Sequence, residues 1–199
     1  KVGICGLGTV GQGVIALLSE GGDVLSNRVG GTIELVHVAT RTPKPEVDTL
    51  GARGSRDVFD VARDPNVDVL IELIGGTTVA KDLVVEALNQ GKHVVTANKA
   101  LLADHGNELF ALAESKGVAL RFEAAVAGGI PVIEAVKTSL AGNHISSVAG
   151  IINGTGNFIL TEMAAKGREF ADVLAEAQAL GYAEADPTFD VDGTDAAQK

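Results

Sequence analysis

Short apolar, β-branched runs alternate with longer segments of helical period from the start of the chain to about residue 123. The short runs predict buried strands at 2–5, 33–39, 69–72, 93–96 and 119–123. The longer segments predict helices at 11–19, 57–63, 81–90 and 104–116. This alternation is typical of βαβ units wound around a parallel sheet.

The pattern changes after residue 123. The run Ala127-Gly128-Gly129-Ile130-Pro131 interrupts it, and Pro131 suits the first turn of a helix predicted at 132–140. A strand at 145–152, a turn at 153–156 and helices at 158–165 and 170–180 follow. We therefore predict an α/β protein, with a doubly wound parallel-sheet Rossmann domain at 1–127 and part of an α+β substrate or dimerisation domain at 128–199. Because 195–199 has the pattern of a helix interior, we expect the chain to be truncated.

Composition excludes several classes of partner. The chain has 199 residues, of which 46% are apolar, and a net charge of −10, which repels nucleic acid and anionic membranes. The single cysteine, Cys5, excludes a disulfide framework and a zinc site built from cysteines, and it suits the reducing cytoplasm. None of the four histidines has a partner at metal-ligand spacing.

A glycine motif joins the first predicted strand to the first helix. The residues are Gly6-Leu7-Gly8-Thr9-Val10-Gly11, which fit the G-x-G-x-x-G pattern. Gly6 permits a tight turn, Gly8 lets backbone approach a pyrophosphate, and Gly11 allows close packing of helix and strand. In this setting the motif predicts dinucleotide binding, including contacts from Thr9 and Val10 at the helix start.

The end of the second predicted strand bears on the choice between NADP and NAD. No carboxylate stands where one would bind a ribose 2′-hydroxyl, and Arg41 and Lys44 could instead hold a 2′-phosphate. The alternative is a pair of solvated surface cations. We predict NADP as the preferred cofactor, with NAD possible.

Two further segments follow strands at the predicted crevice. Gly76 and Thr77 offer close backbone approach and a hydroxyl, and Lys99 brings an amine there, unless it is an ordinary surface cation. Near the end of the chain, Asp195 and Lys199 stand four residues apart, on one face of a helix. One interpretation is an exposed ion pair worth about 0.3–0.5 kcal/mol. The other is that Lys199 exchanges a proton with a substrate hydroxyl, while nearby carboxylates, Glu184 among them, hold a substrate ammonium.

Taken together, the motifs resemble homoserine dehydrogenase over essentially the whole chain. The matching segments are the glycine motif, Thr96-Ala97-Asn98-Lys99, the stretch 123–131, the stretch Asn153-Gly154-Thr155-Gly156-Asn157-Phe158-Ile159-Leu160, and residues 176–178 through 195–199. That family reversibly interconverts L-homoserine and L-aspartate 4-semialdehyde with NAD(P), on the route to threonine, methionine and isoleucine. The resemblance implies the same substrates here, and we expect a homo-oligomer, either a dimer or a tetramer.

The resemblance also implies roles for individual residues. Lys199 matches the general acid/base, and Lys99 matches a lysine at the junction of cofactor and substrate. Substrate binding is expected from Glu184, Asp195, Gly181 and Thr155. A loop that holds a monovalent cation, usually sodium, is matched by Glu123, Val126, Gly128 and Ile130.

Two other functions stay open at this point. One is a non-catalytic NAD(P)-binding or regulatory module, which would bind cofactor without homoserine-dependent turnover. The other is a different amino-acid or semialdehyde dehydrogenase. The phosphorylating enzymes of that kind need a nucleophilic cysteine, whereas Cys5 is expected to be buried at the end of the first strand.

Overall fold

The computed structural model describes residues 1–183 and 186–199. The chain forms two compact units, Lys1–Ile130 and Pro131–Lys199. Each unit has its own buried cluster of apolar side chains. None of the helices in these described ranges has the length and apolar character that a membrane span needs.

The first unit is built on a six-stranded sheet in which every neighbouring pair is parallel. The strands are β1 Val2–Cys5, β2 Leu35–Ala39, β3 Arg53–Ser55, β4 Val69–Glu72, β5 His93–Thr96 and β6 Leu120–Arg121. Their spatial order is β3-β2-β1-β4-β5-β6, so the direction of winding reverses between β1 and β4. Ligands bind at such a switch point, outside the carboxyl ends of the strands. The predicted doubly wound sheet is confirmed.

Helices connect these strands. They are α1 Thr9–Glu20, α2 Gly22–Val29, α3 Val58–Arg63, α4 Thr78–Asn89 and α5 Lys99–Lys116. Residues from α3, α4 and α5 share one apolar cluster with Cys5 and Leu70, whereas Ile15 of α1 packs with Ile4 and Val38 in another. Since Ile4 and Cys5 are consecutive residues of β1, they point to opposite faces of the sheet. The sheet is thus packed on both faces, as its nearly continuous apolar strands require.

Several predicted boundaries in this unit were wrong. The second strand begins at Leu35 rather than at residue 33, and the last ends at Arg121, because a 3₁₀ turn occupies Glu123–Ala125. The helix predicted at 104 begins at Lys99, since Asn98 Oδ1 accepts the N–H of Leu101. The helices predicted at 11, 57 and 81 begin at 9, 58 and 78. Helix boundaries follow capping geometry more closely than apolar periodicity.

Two elements of this unit were not predicted. Helix α2 begins with glycine, contains no buried residue and has only three apolar side chains, Val24, Leu25 and Val29. Strand β3 is the three-residue segment Arg-Gly-Ser at the sheet edge. Its pairing with β2 holds it there, and it lacks the alternation of apolar residues from which a strand is predicted.

The second unit contains short helices and one helix pair. After α6 Val132–Glu134 comes a π-helical turn at Ala135–Ser139, and then α7 Gly154–Lys166, α8 Phe170–Ala179, α9 Thr188–Val191 and α10 Thr194–Ala197. Ile159 of α7 packs with Val173 and Ala177 of α8. The Asn153 side chain accepts the N–H of Gly156, so the predicted turn at 153–156 is in fact the first turn of α7.

The strand predicted at 145–152 is wrong, because 143–153 has no regular structure. Val148 and Ile151 are 79% and 78% exposed. A strand needs a partner for its backbone hydrogen bonds, and the described part of this unit contains no other strand. The helix predicted at 132–140 is also corrected, since it changes from α to π geometry at Ala135.

Candidate active site

The turn from β1 to α1 leaves no space for a side chain at Gly6 or at Gly11. Gly6 has φ +104, and a Cβ added to it would lie 2.5 Å from the carbonyl oxygen of Leu73. A Cβ added to Gly11 would lie 2.0 Å from the carbonyl oxygen of Gly6. Both glycines are therefore required by contacts within the protein itself.

Gly8 differs, because a Cβ added there would meet nothing within 4 Å. Its backbone is extended, and as the N-cap of α1 it offers no side chain to the first amides of the helix. Thr9 and Val10 open that helix, where backbone N–H groups and the helix dipole favour an anion. The open space above Gly8 is the cradle that a pyrophosphate would fill, so the residues present fit a dinucleotide.

A cleft of about 660 Å³ extends from this turn. Of the predicted cofactor residues, Gly6, Gly8, Arg41, Lys44, Gly76 and Thr77 line it. Its lining also includes Arg56, which the sequence analysis missed. Arg56 directly follows the unpredicted edge strand β3, so no recognised element drew attention to it.

Charge in the cleft lining is mostly positive. The charged residues of the lining are three cations, Arg41, Lys44 and Arg56, and one carboxylate, Asp57. Asp57 Oδ1 accepts the N–H of Phe59 and caps α3, so its position is fixed by the helix. A phosphate would meet a favourable field at this end of the cleft.

Lys99 is not part of that lining. It is the first residue of α5 and is half-buried. The dipole of a helix favours anions at its N-terminus, so a lysine there gains no stability from the helix.

Cys5 cannot act as a nucleophile in this position. It is fully buried at the end of β1. Burial, followed by the negative charges of Glu72 and Asp57, raises the pKa of its thiol far above its ordinary value. A thiol held in its protonated form is inert, as expected for a structural cysteine.

The predicted cation loop begins in the 3₁₀ turn, whose first residue is Glu123. Ala127 and Gly128 have φ +56 and +58, so the backbone reverses through two consecutive left-handed residues. The carbonyl of Glu123 accepts the N–H of Val126 at 3.2 Å, and Ile130 is 64% exposed. Within 1–183 and 186–199, no three His, Cys, Asp or Glu side chains could together hold a metal ion.

In the second unit, Lys199 lies beside Asp195. Its Nζ donates to Asp195 Oδ2 at 2.8 Å and to the carbonyl of Ile152 at 2.7 Å. The side chains are 26% and 16% exposed, so this is not the fully exposed ion pair of the alternative interpretation. Among the contacts of the described residues, two of the three ammonium N–H groups are used.

Asn153 connects this pair to a second carboxylate. Its Nδ2 donates to Asp195 Oδ2 at 2.8 Å and to Asp190 Oδ1 at 2.9 Å. Neither role follows from the sequence, because the pattern at 153–156 predicts a turn and nothing in the sequence connects Asp190 to Asn153. When the side-chain oxygen of an asparagine caps a helix, its NH₂ group remains as a donor that needs an acceptor elsewhere. That requirement is the one signal in the sequence for a partner of Asn153.

The other expected substrate residues are placed as follows. Thr155 is buried in the first turn of α7, where its hydroxyl donates to the carbonyl of Tyr182 at 2.6 Å. Gly181 has φ +76 in the turn after α8. Glu184 lies outside the described residues.

Known protein families match both units. The model described as the NAD binding domain of homoserine dehydrogenase matches residues 6–123, and the one described as homoserine dehydrogenase matches residues 131–199. The chain belongs to the homoserine dehydrogenase family. The resemblance inferred from the motifs is confirmed.

Relatives in the homoserine dehydrogenase family cover the whole chain. Homoserine dehydrogenase of Pseudomonas aeruginosa is 61% identical over 199 residues, which are 100% of this chain and 46% of the relative. The crystal structure of a homoserine dehydrogenase from Thiobacillus denitrificans has a TM-score of 0.93 at 53% identity and covers 100% of this chain and 46% of that one. A hyperthermophilic archaeal homoserine dehydrogenase in complex with NADPH has a TM-score of 0.84 at 26% identity, covering 100% of this chain and 66% of that one. The chain thus spans a little under half the length of the curated homoserine dehydrogenases it matches.

The glycines of the NAD-binding turn should separate into two groups when each is changed to alanine. Gly11→Ala is expected to lower the melting temperature, because its Cβ would lie 2.0 Å from a carbonyl oxygen. Gly8→Ala should leave the melting temperature unchanged and weaken NADPH binding about tenfold or more, since its Cβ would enter the cradle. Thermal melts and calorimetric titration with NADPH measure both effects. Equal NADPH affinity in wild type and Gly8→Ala would contradict this assignment.

Proposed function

We propose that the protein is an NADP-preferring homoserine dehydrogenase that interconverts L-homoserine and L-aspartate 4-semialdehyde. The observation that carries this proposal is the Lys199 ammonium held between the Asp195 carboxylate and the Ile152 carbonyl. A lysine fixed in this way can direct its remaining N–H at a substrate oxygen. The place of the reaction in threonine, methionine and isoleucine formation, and a homo-oligomeric state, are parts of the same proposal.

In this function, the first unit binds and orients the cofactor. A bound nicotinamide would supply or accept the hydride. The amides at the start of α1 would hold the pyrophosphate, and Arg41, Lys44 and Arg56 would hold a phosphate of the adenosine half. The other half of the molecule would then extend toward Gly76 and Thr77, which line the cleft beyond Gly8.

The second unit would manage the proton on the substrate oxygen. For reduction of the aldehyde, the Lys199 ammonium donates a proton to the developing alkoxide. For oxidation of the alcohol, the neutral amine accepts the hydroxyl proton. Asp195 fixes the position of the lysine, while Asn153 keeps Asp195 and Asp190 in place. Substrate binding by Glu184 and a role for Lys99 near the reacting groups belong to the proposal as well.

Removal of the Lys199 amine should slow turnover by about 10²–10⁴-fold, the usual contribution of a general acid or base. NADPH affinity should not change in Lys199→Ala, because the lysine acts on the substrate. Homoserine oxidation, followed at the nicotinamide absorbance on the protein in its full natural length, measures the loss.

Lys166→Ala is the matched control, because Lys166 also forms an i,i+4 ion pair, with Glu162 at 2.7 Å. It should turn over like wild type. Comparable rates in Lys199→Ala and Lys166→Ala would remove Lys199 from the reaction.

The cations of the cleft should distinguish NADPH from NADH. Arg41→Ala and Arg56→Ala are each expected to weaken NADPH binding about tenfold, since each removes a charge-assisted contact, and to leave NADH binding almost unchanged. Arg63→Ala serves as the control, because Arg63 pairs with Glu86 on the surface. Losses of the same size for both cofactors would refute the 2′-phosphate role.

The proposal includes a monovalent cation at 123–130, where Ala127 and Gly128 adopt consecutive left-handed backbone conformations. Oxygen ligands suit such a hard ion. We expect a higher melting temperature in sodium chloride than in choline chloride at equal ionic strength. Gly128→Ala should reduce this difference, whereas Gly117→Ala, which alters a left-handed glycine after α5, should not. Identical melting in both salts would exclude the cation.

A further inference from the structure

A buried carboxylate lies where the two loops beside the cleft meet. Glu72 is the last residue of β4 and is fully buried. Its Oε1 accepts the N–H of Ile74 at 2.8 Å and that of Gly75 at 3.4 Å. Its Oε2 accepts the hydroxyl of Thr96, the last residue of β5, at 2.6 Å. One side chain therefore connects the turn after β4 to the end of β5.

These contacts continue to the start of α5. The Thr96 hydroxyl oxygen accepts the N–H of Asn98 at 3.0 Å, and the Asn98 side chain donates to the carbonyl of Gly76 at 2.6 Å. The bonds thus lead from Glu72 through Thr96 and Asn98 back to the turn that Glu72 itself contacts. Lys99 follows directly as the first residue of α5.

The turn after β4 contains two glycines, which have no side chain to pack, although Leu73 and Ile74 before them pack against the core. Gly75 and Gly76 both have φ +71, and a Cβ added at either would meet nothing within 4 Å. Glycine loses more conformational freedom on ordering than any other residue, so two glycines in succession are costly to hold in one conformation. Gly76 and Thr77 also line the cleft. On this side of the cleft, the bonds made by Glu72 and Asn98 therefore hold the two glycines.

The arrangement of donors selects a carboxylate at position 72. Two N–H groups and one hydroxyl point at its two oxygens, and an ionised carboxylate only accepts hydrogen bonds. A glutamine with its oxygen toward Ile74 would direct its NH₂ at the Thr96 hydroxyl, and the hydrogen of that hydroxyl would lose the oxygen that now accepts it. The opposite orientation would set the NH₂ against two N–H groups. Either way a buried donor would lose its acceptor.

Burial of a carboxylate without a complete set of hydrogen bonds costs considerable free energy, and an apolar side chain would avoid that cost. The presence of glutamate at the end of a central strand therefore indicates a role beyond packing. We propose that Glu72 is a positioning residue, which fixes the turn 73–77 and the start of α5 in the arrangement that receives the nicotinamide half of the cofactor. The identity of that ligand rests on the proposed function, whereas the bonds themselves do not.

The first test is amide hydrogen exchange resolved along the chain, on the protein in its full natural length without cofactor. In Glu72→Gln, exchange at residues 73–77 and 96–99 should be about tenfold faster than in wild type, while the rest of Lys1–Ile130 keeps its protection. Glu114→Gln is the matched control, since Glu114 is exposed on α5. A uniform rise over the whole unit, or no rise relative to the control, would overturn the proposal.

The second test is NADPH binding and kinetics of the same variants. Glu72→Gln should weaken NADPH binding and raise its KM about tenfold, with a smaller effect on the KM for homoserine. Unchanged affinity with wild-type exchange would refute the role of Glu72. A wild-type protein that bound no nicotinamide dinucleotide would instead refute the proposed function, and the exchange data would still decide whether Glu72 fixes the loops.

A pair of variants at Thr96 covers the case in which Glu72→Gln fails to fold. Thr96→Ser keeps the hydroxyl that donates to Glu72, and Thr96→Val replaces it with a methyl group of similar size. We expect Thr96→Ser to retain wild-type NADPH affinity and Thr96→Val to lose about as much as the glutamate variant. Equal affinity of the two Thr96 variants would contradict the proposal.

Discussion

The carboxyl ends of β1 and β4 approach so closely that no side chain fits between them. The amide of Leu73 donates to the carbonyl of Cys5 at 2.8 Å, and the carbonyl of Leu73 faces Gly6 at a distance that excludes a Cβ. Gly11 then packs against Gly6 and sets the position of α1. Gly6 and Gly8 line the cleft at the switch point of the sheet, so the proposed phosphate site at Gly8 depends on this close contact.

Charges in the two units suit different tasks. The chain carries a net charge of −10, yet three cations and one carboxylate line the end of the cleft near β2 and β3. A local positive field can therefore attract a phosphate to a protein that is acidic as a whole. In the second unit, a single amide, that of Asn153, contacts two carboxylates, and the one at Asp195 holds an ammonium. The proposed chemistry follows from this division between anion binding and proton transfer.

Apolar periodicity predicted the parallel sheet because its central strands are apolar and α1, α3, α4 and α5 each pack apolar side chains against them. It failed where hydrogen bonding, rather than the burial of apolar side chains, determines the structure. Edge pairing places the polar strand β3, and with it Arg56. Caps move the starts of α5 and α7 toward Asn98 and Asn153. The segment 145–152 has the composition of a strand, but composition alone provides no hydrogen-bonding partner.

The residues of the candidate site likewise include some that the sequence predicts and some that only the fold identifies. Residues in a linear motif, such as Gly6, Gly8 and Gly11, could be found from spacing alone. Asp190 and Glu72 could not, because their significance lies in side chains that meet across 37 and 24 residues of sequence. A contact between distant positions becomes visible only when the fold is known.

The transfer of hydrogen between cofactor and substrate tests the proposed function most directly. The protein in its full natural length would be supplied with L-aspartate 4-semialdehyde and NADPH carrying deuterium at both hydrogens of nicotinamide C4. The proposed function predicts homoserine with one deuteron at its C4 carbon, detected by mass spectrometry and NMR, because the hydride passes directly from cofactor to aldehyde. Homoserine without deuterium, or no homoserine at all, would contradict it.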